Sequence, residues 1–163
     1  MKPAFFTSSS LWVLPGLLAG VVFLVVAMVA GALATTAWAM PEAIAQVIGV
    51  VAPAGYEFAP VPLLVGIVAH LALSVGLGTL FAAFIRWRRL HGWMVVVAAV
   101  IFVTIETPIA LWGVMHTLLP ATTFHFFLAA VPLWGSVLGH YMYALILGLL
   151  LMFNPLIAAR KVQ

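Results

Sequence analysis

The chain has 163 residues, 67% of them hydrophobic and 6% charged, whereas ordinary soluble domains carry roughly 45–50% apolar and about 25% charged residues. That composition excludes a water-soluble fold, and the absence of cysteine and aspartate excludes disulfides, thiolate metal sites, iron–sulfur clusters, cysteine nucleophiles and aspartate dyads. The net charge of +3 comes from six Lys and Arg in three small groups beside apolar runs, a placement that suits lipid phosphates and not nucleic acid.

Four apolar runs of 18 or more residues follow, each long enough to cross a hydrocarbon core of about 30 Å. The first span covers about 11–34, with Pro15-Gly16 near its start and Thr35-Thr36 at its end. Ala37-Trp38-Ala39 has the pattern of a signal-peptidase site, but the run before it is too long for a signal peptide and is expected to stay as a membrane span. From Pro41 to Val51, Ile44, Val47, Ile48 and Val51 recur at helical spacing and predict a short helix lying at the interface. Pro53, Gly55 and Pro60 interrupt it.

The second span, about 61–85, stops at Arg86-Trp87-Arg88-Arg89, an anchor at headgroup level. A tight turn at Leu90-His91-Gly92 leads into the third span, about 93–115. Leu118 to Phe127 reads as a loop containing Pro120 and His125, its Phe124, Phe126 and Phe127 forming an interfacial aromatic belt. The fourth span covers about 131–153, and Asn154-Pro155 ends it. Lys2, the Arg86–Arg89 group and Arg160-Lys161 all fall on one side, while the opposite loops hold Glu42 and Glu57 with no Lys or Arg. This bias predicts cytoplasmic N- and C-termini in a bacterial plasma membrane.

The sequence repeats itself at an offset of 70. Val61-Pro62-Leu63 before His70 corresponds to Val131-Pro132-Leu133 before His140; Gly66 pairs with Ser136, Gly78 with Gly148, and Thr36 with Glu106. The expected architecture is a single all-α membrane domain over 1–163, a four-transmembrane-helix bundle of two tandem hairpins. The repeats cover about 11–89 and 90–159, related by a pseudo-two-fold axis along the membrane normal. Small residues on the second and fourth spans, such as Gly76 and Gly139, predict that these two helices face each other.

Ionisable groups inside a bilayer are costly and mark candidate sites. Here they are His70, Glu106 and His140. Counted from the ends of their helices at 1.5 Å per residue, all three reach one layer in the outer half of the membrane. Gly66 and Ser136 lie four residues before His70 and His140. This small-x-x-x-His spacing resembles the ligating pattern of bacterial antenna polypeptides and of some b-type cytochromes. The resemblance implies haem b or (bacterio)chlorophyll as the cofactor, held by His70 and His140 against flat faces at Gly66 and Ser136, with Trp112 and Trp134 as aromatic walls. The competing reading is structural, each imidazole being satisfied by its own helix, by Glu106 or by a neighbouring carbonyl. His116 and His125 flank Pro120, but two ligands fall short of the four that zinc takes, so no metal site is expected.

Phosphate loops, a His-Glu-x-x-His pair and a Ser-His-Asp set are absent from the sequence. The reading that follows is a non-catalytic, accessory membrane subunit of a larger complex, most naturally one of respiratory or photosynthetic electron transfer, with lipid and other membrane subunits as partners. The alternatives are a tetrapyrrole-binding subunit using His70 and His140, and a small proton or ion transporter using Glu106 at the repeat interface.

Overall fold

A computed structural model describes residues 10–53 and 57–154, and every regular element among them is helical. Lys2, Arg160 and Lys161 lie outside the described residues. Helix α1 runs Ser10–Ala34, α2 Ala39–Val47, α3 Pro60–Arg88 and α4 Trp93–Pro108. A π-helical segment, Ile109–Met115, and the single turn α5, His116–Leu118, continue α4 without a break, followed by α6, Ala121–Ala130, and α7, Leu133–Met152. Four helices, α1, α3, Trp93–Leu118 and α7, are long and apolar enough to cross a membrane. The protein is a multi-pass helical membrane bundle.

Apolar side chains gain little by leaving lipid for a protein interior, so such helices associate through close fit and hydrogen bonds. Large residues such as Val25, Leu64, Leu80 and Ile101 accordingly point outward, while small ones line the seams. Contrary to the sequence expectation, α3 and α7 do not form the main interface: α1 lies against both, and α4 packs on α7. The reason is on α1 itself, whose Gly16 lets the backbone sit so near α3 that a Cβ there would lie 2.7 Å from the Ser74 carbonyl oxygen. Helices α3 and α7 meet at a crossing where the Tyr143 hydroxyl donates to the Ser74 carbonyl at 2.9 Å.

The short α2 departs from its expected place. Its residues Ala39 to Ala43 and Ala45 are buried, and Pro41 presses its carbonyl onto Gly66 of α3, where a Cβ would collide with it. The apolar stripe of Ile44 and Val47 suggested a helix floating at the interface; the missing side chain at Gly66 lets it seat against the bundle instead. The expected loop at Leu118–Phe127 is largely helix, with Pro120 at the N-cap of α6. Phe124 and Phe127 are buried beneath it, so they belong to the packing and not to an exposed aromatic belt.

The third span loses regularity halfway. The hydroxyls of Thr104 and Thr107 donate to the carbonyls four residues earlier, both at 2.8 Å, and Pro108 has no N–H to give to the helix. Hydroxyl back-bonding and proline both bend helices, and the backbone goes over to π-helical bonding at the next residue. Helices α3 and α4 leave their tight turn together, touching through Phe81 and Phe102 with ring centroids 5.3 Å apart. Further along, the π segment and α3 stand on either side of a cavity.

Candidate functional site

The cavity has a volume of about 470 Å³. One wall is α3 with His70, Leu73 and Leu77; the opposite wall is Glu106 and the π segment; α2 supplies Met40 and Ile44, and α7 supplies His140 and Tyr143. Leu73 of α3 is 60% exposed and Ile109 of the π segment 57% exposed, yet both line the cavity. The space is thus open sideways between α3 and the third span, toward the lipid. The bundle brings His70, Glu106, His140 and Ser136 to this one cavity.

The two histidines are held in opposite ways. His70, 8% exposed, places Nε2 3.2 Å from the carbonyl oxygen of Gly20 on α1. A carbonyl can only accept, so Nε2 carries the proton and Nδ1 the lone pair. Ser74 Oγ also lies 3.4 Å from Nε2; with Nε2 protonated, His70 cannot act as a base toward Ser74. His140 turns its other nitrogen inward along its own helix, donating Nδ1–H to the Ser136 carbonyl at 2.8 Å. Its Nε2 is therefore the lone-pair nitrogen, and it faces Glu106 Oε2 at 3.4 Å. One proton between these two atoms makes the contact favourable, leaving Glu106 Oε1 to accept from elsewhere.

Phe23 of α1 stands between the imidazoles, stacked on His70 with centroids 4.7 Å apart and edge-on to His140 at 4.6 Å. A tetrapyrrole bridging the two histidines would have to displace it. The space over Gly66 is taken by Pro41, so no flat face is left there for a ring. Trp112 and Trp134 are exposed on the outside of the bundle and neither lines the cavity, whose aromatic side chains are Phe23, Phe127 and Tyr143. Among the described residues no three His or Glu side chains gather as metal ligands. His116 lies edge-on to Phe124, with centroids 4.9 Å apart.

Sequence reasoning missed three components. Phe23 is one apolar residue in an apolar run, with nothing to mark it. The π segment follows Pro108, a visible signal of irregular backbone though not of its kind. Glu42, expected in an outer loop, is wholly buried in α2. Its Oε1 accepts the Ala59 N–H at 3.0 Å and its Oε2 has no hydrogen-bond partner. Burial pushes this carboxyl above the usual range, and the Ala59 N–H offsets part of the rise. A glutamate beside Pro41 with no Lys or Arg between Lys2 and Arg86 was the available hint.

Comparison with known protein families, curated proteins and solved structures returns no match to this chain. Its function is therefore read from the geometry of the cavity.

Proposed function

We propose that this protein is a non-catalytic membrane protein that takes a neutral, lipid-soluble ligand from the bilayer into the cavity between α3 and the third span. The observation that carries this reading is the sideways opening: a cavity of about 470 Å³ lies within the size range of small-molecule sites, and its mouth faces lipid. Neutrality follows from the lining, which contains no Lys or Arg, since an uncompensated charge at such depth is costly. In this role the chain serves as an accessory subunit of an electron-transfer assembly, the Arg86–Arg89 end facing the cytoplasm of a bacterial plasma membrane. The imidazoles and the carboxyl are proton-exchanging groups, which suits such a host; the cavity offers no nucleophile held by a free base.

The test is to isolate the protein from native membranes in lipid nanodiscs, extract it with organic solvent and compare the extract with bulk lipid by mass spectrometry. One neutral lipophile is expected to be enriched, and to be lost in Ala110→Trp, which fills the cavity from the π segment. Extracts of both proteins that match bulk lipid would overturn the reading. On a native gel after gentle extraction the protein is expected in a large assembly; a stable lone chain would remove the subunit part.

A further inference from the structure

We infer that the ligand is a ring bearing two hydroxyl groups, of the hydroquinone type, and that the cavity holds this reduced form in preference to the corresponding quinone. The inference rests on the cavity being a ligand site, as proposed above, and adds the chemistry of the occupant.

On the α3 wall, Nε2 of His70 is spent on the Gly20 carbonyl, so Nδ1 offers a lone pair. Ser74 Oγ is turned toward α1, where a Cβ on Gly20 would lie 2.6 Å from it, so the hydroxyl is directed away from the opposite wall. On the far side, His140 spends its proton on Ser136 and shares another with Glu106 Oε2, so Oε1 of Glu106 also offers lone pairs. The Tyr143 hydroxyl is already given to the Ser74 carbonyl, which leaves the Ser74 and Ser136 hydroxyls as the lining's other donors. The cavity therefore presents an acceptor station on each of two walls, His70 Nδ1 and Glu106 Oε1. At these two stations quinone oxygens, being acceptors, would face lone pairs with lone pairs, whereas hydroquinone hydroxyls are donors and fit both.

The two stations lie on different helices with the Phe23 ring between the imidazoles. A rigid spacer that carries one hydroxyl at each end meets both walls without ordering a flexible chain, which would weaken binding. An aromatic spacer also packs favourably on Phe23. The remaining lining apart from Ser136, from Ile44 and Met40 of α2 to Val114 and Met115 of the π segment, is apolar and accommodates substituents or a hydrocarbon tail. A phospholipid fits poorly, because its charged head belongs at the interface while the acceptors here lie about ten residues, roughly 15 Å, along α3 from its start.

The experiment is calorimetric titration of the full chain in detergent, without oxygen, using trimethylhydroquinone, trimethylquinone and monolaurin, a flexible diol lipid. Hydroquinone is expected to bind at least about tenfold more tightly than quinone, since two hydrogen bonds distinguish them. His70→Leu and Glu106→Leu are each expected to weaken hydroquinone binding by about tenfold and leave quinone unchanged. Glu106→Gln keeps an acceptor oxygen and can donate to His140, so it is expected to bind within about threefold of wild type; its behaviour also separates loss of the acceptor from loss of the fold. Equal affinity for the two redox forms, or a preference for quinone, would overturn the inference, as would monolaurin binding as tightly as hydroquinone through the same residues. If neither ring binds while Ala110→Trp still expels a co-extracted lipophile, this inference falls and the cavity reading stands. If Ala110→Trp binds hydroquinone like wild type, both fall.

Discussion

His70 and His140 occupy matching positions in the two halves of the sequence, seventy residues apart, yet each protonates the nitrogen that the other leaves bare. The difference lies in what surrounds them. In the first half, α1 approaches so closely that its Gly20 carbonyl reaches the His70 imidazole. In the second half α1 packs as closely on α7 but presents the Phe23 ring to His140, and the imidazole folds back on its own backbone. Identical residues on similar helices thus acquire opposite hydrogen-bond roles because α1 offers a backbone carbonyl to one and an aromatic ring to the other, and because the second hairpin carries a carboxyl, Glu106, where its counterpart has Thr36.

The comparison can be broken most forcefully at the residue pair that precedes the histidines. Gly66→Leu drives a side chain into the Pro41 carbonyl and is expected to cost at least about 3 kcal/mol. Ser136 is also buried but borders the cavity, so Ser136→Leu has room to turn into it and should cost less, about 1–2 kcal/mol; unfolding in mixed detergent micelles compares them, and equal losses would show that the two positions are packed alike. Next come the histidines themselves. His140→Leu strands the Glu106 carboxyl and is expected to cost about 1–3 kcal/mol, whereas His70→Leu costs about 1 kcal/mol because the Gly20 carbonyl keeps its place in the α1 helix. Tyr143→Phe, which removes the 2.9 Å hydrogen bond from α7 to the Ser74 carbonyl of α3, should cost about 1 kcal/mol.

The smallest effect concerns Glu42, which has no equivalent in the second half. Its carboxyl is raised by burial, so the folded state holds the proton more tightly than the unfolded chain does. The stability it contributes is fully present below the ordinary carboxylate range and is lost as pH rises through the raised value. Melting temperature is expected to fall by about 2 °C between pH 5 and pH 8 in the wild type and to flatten in Glu42→Gln. An unchanged slope in the variant would mean that another group governs the pH response.

Much of the fold was legible because span length and hydropathy are direct consequences of bilayer thickness; the expected 61–85 and 93–115 spans differ from Pro60–Arg88 and Trp93–Leu118 by a few residues at their ends. The three ionisable groups were legible for the same reason, since charge in an apolar run stands out. What escaped depends on contacts distant in sequence. The tautomer of His70 is set by a carbonyl fifty residues away, and the depth of α2 is set by a missing side chain on α3. The stripe of Ile44, Val47, Ile48 and Val51 predicts a helix lying at the interface; Ile44 and Val47 instead wall the cavity, joined there by Ile48, which stays 56% exposed. Phe23 is invisible in sequence because its role comes from standing between two rings and not from its chemistry.

The opposite protonation of the paired histidines is the premise on which the acceptor-lined cavity stands. It is tested most directly by nitrogen NMR of the protein in nanodiscs with ¹⁵N-labelled histidine, the two signals assigned with His70→Leu and His140→Leu. The account predicts the proton on Nε2 of His70 and on Nδ1 of His140, with a coupling or shift change at His140 in Glu106→Leu and none at His70. The same tautomer at both positions, or a His140 signal indifferent to Glu106, would contradict it.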